Sequence, residues 1–135
     1  MANVTGEKKK ILLVDDNDMH LTTAELFLKD EFELFMMHSG KEALDYMCGN
    51  KLVPHLIMLD IMMPNMNGWE VFKKIRAIDF LKDVPIAFLT STDEEKERKQ
   101  AIKIGAAGYI TKPYNMTELK SKVQDALSKS AKKRI

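Results

Sequence analysis

The stretch ILLVDDND over residues 11–18 runs four apolar residues straight into Asp15, Asp16 and Asp18. Two carboxylates about 4 Å apart repel by ~1 kcal/mol in water and ~4 kcal/mol near a protein surface. A cation relieves such crowding. Carboxylates are hard oxygen ligands, and a small ion such as Mg2+ binds through one or two of them together with waters and phosphate oxygens. With no histidine or cysteine directly beside the acids, zinc is a poorer match. Other polar residues also stand directly after apolar runs: Asp60 after LIML, Thr90 and Ser91 after IAFL, and Lys112 after YIT. An ammonium group at Lys112 partly neutralises the acids and holds an incoming anion, and the Thr90 hydroxyl can donate to the same anion. Singly, each residue has an ordinary reading: Asp15 or Asp18 as a helix cap, Lys112 as a solvated lysine, Thr90 as a turn residue. Their joint placement at strand ends argues for a site.

Bringing these groups together requires a sheet. Short apolar runs recur at 11–14, 32–37, 56–59, 86–89 and, more weakly, 109–111. Between them the apolar residues take helical spacing: Leu21, Ala24 and Leu28; Ala43, Leu44 and Met47; Val71, Phe72 and Ile75; Ala101 and Ile104; Leu119, Val123, Ala126 and Leu127. Strand then helix, five times over, with strands apolar on both faces, specifies an α/β fold: a five-stranded parallel sheet flanked by five helices, flavodoxin-like and doubly wound. In the strand order 2-1-3-4-5 the first and third strands are neighbours. Asp16 and Asp60 then face each other at the carboxyl ends, where open parallel sheets bind ligands. Four helix starts offer a capping side chain with an acid three positions on: Ser39 and Glu42, Asn67 and Glu70, Thr92 and Glu95, Asn115 and Glu118. Gly105 stands where the fourth helix should stop, and Pro54, Pro64, Pro85 and Pro113 fall outside helix interiors.

A chain of 135 residues fits one domain. We place it at 10–128, with polar tails over 1–9 and 129–135 that favour disorder; the basic cluster Lys132, Lys133 and Arg134 reads as a solvated end. The 21 basic and 20 acidic side chains leave a net charge of +1, so no global field favours nucleic acid or an anionic membrane. The one cysteine, Cys48, excludes an internal disulfide and reads as a small buried hydrophobe. No apolar run approaches the roughly 18 residues of a membrane helix, and the N-terminus lacks a signal peptide's apolar region, so the expected setting is cytoplasmic.

The residues now resemble a known family, the CheY-like receiver domains of two-component response regulators, from about Ile11 to Leu127. The resemblance rests on ILLVDD ending at Asp16, LIMLDIMMPNMNG from Leu56 to Gly68, FLTS around Thr90, and GAAGYITKP from Gly105 to Pro113. It implies that Asp60 accepts a phosphoryl group from the phosphohistidine of a sensor kinase or histidine phosphotransfer protein. Asp15 and Asp16 would help Asp60 hold Mg2+, Lys112 would contact the acyl phosphate, and Thr90 would move toward it as the switch. Tyr109 matches the family's switch aromatic, and Lys112-Pro113 matches a peptide bond that is typically cis. The output surface would be the face made by the fourth helix, fifth strand and fifth helix, read by a downstream effector protein. Such a protein is a phosphoacceptor rather than a conventional enzyme, with self-catalysed phosphotransfer and autodephosphorylation as its chemistry.

Some positions vary within that pattern. Two residues past Asp60 stands Met62, whose backbone carbonyl would ligate the metal while its thioether lies over the site. The fourth helix opens DEEKERKQ, with almost nothing apolar in two turns. It is either loosely held and easily shifted or simply an ordinary solvated start. Trp69 reads as packed on a loop, the 10 methionines as core filler, and His20, His38 and His55 carry no phosphotransfer role. Competing functions are weaker. An aspartyl-nucleophile phosphatase wants a second acid where Met62 stands, a flavin module wants a phosphate-binding loop where DDND stands, and a non-phosphorylated docking receiver has no need of a complete site. The sequence leaves open whether the chain acts alone or is the receiver portion of a longer protein.

Overall fold

Strands apolar on both faces are stable only when helices cover both sides of the sheet. The structure, a computed structural model that describes residues 7–133 and side chains as far as residue 129, has that arrangement. Five parallel strands, β1 (Lys9–Val14), β2 (Phe32–Met37), β3 (Leu56–Asp60), β4 (Ile86–Thr90) and β5 (Gly108–Thr111), lie in the order β2-β1-β3-β4-β5. The helices are α1 (Asp18–Leu28), α2 (Gly40–Asn50), α3 (Gly68–Arg76), α4 (Glu95–Lys103) and α5 (Met116–Lys133). Alternation along each strand divides the core in two. Leu12, Val14, Ile57, Leu59, Ile86 and Phe88 face α2, α3 and α4, while Ile11, Leu13, Met58, Ala87 and Leu89 face α1 and α5. The fold class and strand order match the sequence reading.

Local signals explain most boundaries. Ser39 Oγ accepts from the Glu42 N–H, Asn115 Oδ1 from the Glu118 N–H, and Asn67 with Glu70 forms a reciprocal capping box. Gly105 has φ +94°, the left-handed position that closes α4, and the following Ala106 N–H reaches back to Ala101 O. No helix among the described residues is long and apolar enough to cross a membrane.

Several expectations need correcting. Thr92 does not cap the fourth helix: α4 begins at Glu95 with Glu94 at its N-cap and no capping side chain, because the Thr92 hydroxyl is drawn to Glu97 instead. For α1 the cap is Asn17, which accepts from the His20 N–H, rather than Asp15 or Asp18. Cys48 is exposed. It follows Met47 on the buried stripe of α2 and is turned about 100° away from it. Met37, Met47, Met58 and Met63 are core residues, but Met19, Met62 and Met116 are exposed. Trp69 packs on the ring of Phe88 in β4, with centroids 4.7 Å apart, not on a loop. Residues 129–133 are helical rather than a tail, since Lys and Ala are good helix formers and propagate the packed helix before them. Residues 1–6 of the expected N-terminal tail, and Arg134 and Ile135, lie outside the described residues. A short 3-10 turn at Asp79–Leu81 has no counterpart in the apolar pattern.

Candidate functional site

Parallel winding delivers the carboxyl ends of β1, β3, β4 and β5 to one edge of the sheet. Val14 pairs with Leu59 and Asp60 with Leu89, so Asp15 emerges beside the end of β3; Thr90 pairs with Thr111, next to Lys112. Asp60 and Thr90 are the last residues of their strands rather than the first residues after them. Among the described residues, the polar or charged residues that are buried as whole residues are Asp15, Asp60 and Thr90.

Asp15, Asp16 and Asp60 each offer a carboxylate oxygen, and these oxygens lie within 4.8 Å of one another; Asp16 is exposed and the other two are buried. An all-oxygen, anionic donor set of this size fits a hard divalent ion such as Mg2+, and the exposed acid leaves one side open to solvent. Lys112 Nζ lies 2.9 Å from Asp15 Oδ2 and 3.3 Å from Asp60 Oδ1, with its side chain only 4% exposed. Burial and the neighbouring Asp15 charge push the Asp60 carboxyl up to about 7, against the pull of Lys112. The Lys112–Pro113 peptide is cis. Met62 projects its side chain into solvent, 72% exposed.

The loop after β3 is held against the site by Gly68. Its N–H donates to Ile61 O at 2.8 Å, and a Cβ there would lie 2.5 Å from the Asp60 carbonyl oxygen and 2.8 Å from Ile61 Cα. Only the absence of a side chain lets α3 start so close to the backbone of Asp60.

Three residues at this edge escaped the sequence reading. His20 Nδ1 sits 3.0 Å from Lys112 Nζ, and its ring meets Tyr114 edge-on. Burial raises the Tyr114 phenol, with the charges of Asp15 and Asp60 adding to the effect. Glu97, in the second half-turn of α4, accepts the Thr90 hydroxyl at 2.8 Å. A lone histidine and one glutamate within DEEKERKQ carry no local sign of such partners. Tyr109, expected as a switch aromatic, is buried and also bonds Glu97.

A doubly wound parallel sheet with a buried aspartate, two companion acids and a lysine at its carboxyl edge defines a phosphoryl-accepting signalling module. The model of the response regulator receiver domain matches residues 11–124, and the chain belongs to that family. The regulatory protein VanR of Enterococcus faecium is 38% identical over 124 residues, covering 91% of this chain and 52% of VanR. The alkaline phosphatase synthesis transcriptional regulatory protein PhoP of Bacillus subtilis is 35% identical, over 90% of this chain and 50% of PhoP. The chain thus spans about half the length of the curated relatives it matches. Among solved structures, the chemotaxis protein CheY4 of Vibrio cholerae superposes with a TM-score of 0.81 at 29% identity, covering 88% of this chain and 98% of CheY4. The Mn2+-bound response regulator Rcp1 superposes at 0.72 and 29% identity, covering 86% of this chain and 89% of Rcp1. Receiver domains are phosphoacceptor signalling domains that bind Mg2+ at an acidic pocket, and as response regulators they work with kinases and effectors.

Proposed function

We propose that Asp60 accepts a phosphoryl group from the phosphohistidine of a sensor kinase or histidine phosphotransfer protein, and that residues 10–128 are the receiver that does so. The observation that supports this most directly is a buried carboxylate at a strand end, close to two further acids and 3.3 Å from a buried ammonium. An Asp60 oxygen attacks phosphorus as the histidine N–P bond breaks; the bonding pair stays on the imidazole, which takes up a proton. Asp15, Asp16 and Asp60, with the Met62 carbonyl, would hold Mg2+. The bound ion supplies neutralisation of charge on the transferring group. The divalent ion in Rcp1 is in keeping with this.

Lys112 opposes the effect of burial on Asp60 and afterwards pairs with the acyl phosphate. The added group brings ~1.5 to 2 negative charges, enough to draw the Thr90 hydroxyl toward it. Tyr109 then follows into the space Thr90 leaves, and the α4, β5 and α5 face changes for a downstream effector. The same site hydrolyses its own acyl phosphate, and the setting is cytoplasmic. Incubation with Mg2+ and acetyl phosphate, followed by intact mass measurement, tests the assignment. A phosphoryl adduct is expected in wild type and in Asp79→Asn but not in Asp60→Asn; an equal adduct in both variants would reject Asp60.

A further inference from the structure

Glu97 stands outside the acidic group at the sheet edge, yet it gathers the hydroxyls on which switching depends. One of its carboxylate oxygens, Oε1, receives the Thr90 hydroxyl at 2.8 Å, the Thr92 hydroxyl at 3.1 Å and the Tyr109 phenol at 2.5 Å. An ionised carboxylate only accepts hydrogen bonds, so all three side chains act as donors to it. We propose that Glu97 is the positioning residue that holds Thr90 and Tyr109 in the unphosphorylated arrangement, and that a phosphoryl group on Asp60 works by competing with Glu97 for the Thr90 proton. This rests on the assignment of Asp60 as the acceptor.

The competition follows from the inventory of one side chain. A threonine hydroxyl has a single proton to donate. In this structure it goes to Glu97, while the Thr90 oxygen accepts the Thr92 N–H at 3.2 Å. Thr90 is fully buried, so the proton given to one acceptor is lost to the other with no water to stand in. Phosphorylation therefore removes one of the three donors from Glu97.

Tyr109 is coupled through the same oxygen. Burial, aided by the hydrogen bond to Glu97, pushes its phenol up to about 12, which keeps it a donor. The next residue of α4, Arg98, lies 4.8 Å over the Tyr109 ring and pairs with Asp93. The helix has little else to hold it. Ala101 is its one buried residue and Glu94 caps it without a side-chain hydrogen bond, so the bonds converging on Glu97 are a large part of its attachment to the sheet. Losing one of them loosens α4 and Tyr109 together.

The test uses the full chain with carbon-13 at threonine methyl groups, as wild type, Glu97→Ala, Glu97→Gln and, on the same helix, Glu94→Gln. Without any donor, the Thr90 methyl resonance, assigned by its loss in Thr90→Val, moves from its wild-type position in Glu97→Ala. It moves part of the way in Glu97→Gln, which keeps the shape and a neutral acceptor, and stays in place in Glu94→Gln. With Mg2+, the acetyl phosphate concentration that half-saturates phosphorylation falls roughly tenfold in Glu97→Ala, the factor that corresponds to ~1.4 kcal/mol. That gain disappears in a Thr90→Val background. A helix anchor with no hold on Thr90 would produce no such dependence. Unmoved Thr90 resonances in both Glu97 variants, or an equal fall in the Thr90→Val background, would overturn the proposal. Absence of any adduct in wild type would instead overturn the Asp60 assignment, while the donor-free resonances would still decide whether Glu97 positions Thr90.

Discussion

Lys112 and Asp15 are 97 residues apart in the chain, and their side chains meet at 2.9 Å in the buried part of the site. Both are almost fully buried, at 4% and 1% exposure, and the same ammonium reaches Asp60 at 3.3 Å. One cation thus offsets two buried acids when no metal is bound. Removing it leaves the Asp15 charge without its buried partner and raises the Asp60 carboxyl further, toward its protonated form. We expect Lys112→Met to lower stability by about 3–5 kcal/mol in metal-free urea unfolding, the usual cost of breaking a buried pair from one side. Millimolar Mg2+ should recover part of the loss, since the ion supplies the missing positive charge.

The titration of Asp60 sets a second expectation. Its carboxyl is pushed from the ordinary 3.8 up to about 7, first by burial and then by Asp15, with Lys112 opposing. Between those values the folded chain binds more protons than the unfolded one, so stability falls as pH rises. The contribution is fully present below the unfolded value and is lost as pH passes through the folded one. Metal-free melting temperature should therefore decline from pH ~5 to ~8, and Asp60→Asn should flatten the decline. Mg2+ should raise the melting temperature more at the upper end, where no proton competes for the carboxylate. A wild-type slope no steeper than that of Asp60→Asn would contradict this account.

Two glycines should respond oppositely to a methyl group. At Gly68 the added Cβ would fall 2.5 Å from the Asp60 carbonyl oxygen, against backbone that cannot swing aside, whereas at Gly49 nothing lies within 4 Å. Gly68→Ala should cost about 1–3 kcal/mol and slow phosphoryl uptake from acetyl phosphate, because the loop after β3 must shift. Gly49→Ala should stabilise by roughly 0.5–1 kcal/mol, as expected for relieving a helical glycine of its excess unfolded freedom. Chemical denaturation of the two variants side by side checks both signs.

The capping box of α3 offers a local test. Asn67 Oδ1 accepts the Glu70 N–H at 3.0 Å and Glu70 returns a bond to the Asn67 N–H at 2.9 Å. Asn67→Ala should cost about 1 kcal/mol in urea unfolding. A loss below a few tenths of that would show that packing of Val71, Phe72 and Ile75 alone holds the helix start.

The pattern of apolar residues was enough to read five strands and five helices in their order along the chain, because run length and periodicity are properties of neighbouring residues. Strand ends were read one residue short at Asp60 and Thr90, since a polar side chain ends the apolar run before the hydrogen-bonded ladder ends. Cys48 was misplaced because periodicity names a stripe, and a residue one step off the stripe points elsewhere. Thr92 and Glu95 match a capping pattern that the chain does not use, because Glu97 competes for the same hydroxyl.

By itself the sequence determined the parallel α/β architecture and the candidate acids, hydroxyl and lysine at its carboxyl edge, since alternation, helical spacing and capping are short-range properties. Only the tertiary structure decided who meets whom: Lys112 between Asp15 and Asp60, His20 against Lys112, and Glu97 beneath Thr90 and Tyr109. Those meetings depend on strand register and on the path of α4 over the sheet. A local pattern carries no information about either, because both are settled by packing between elements far apart in the chain.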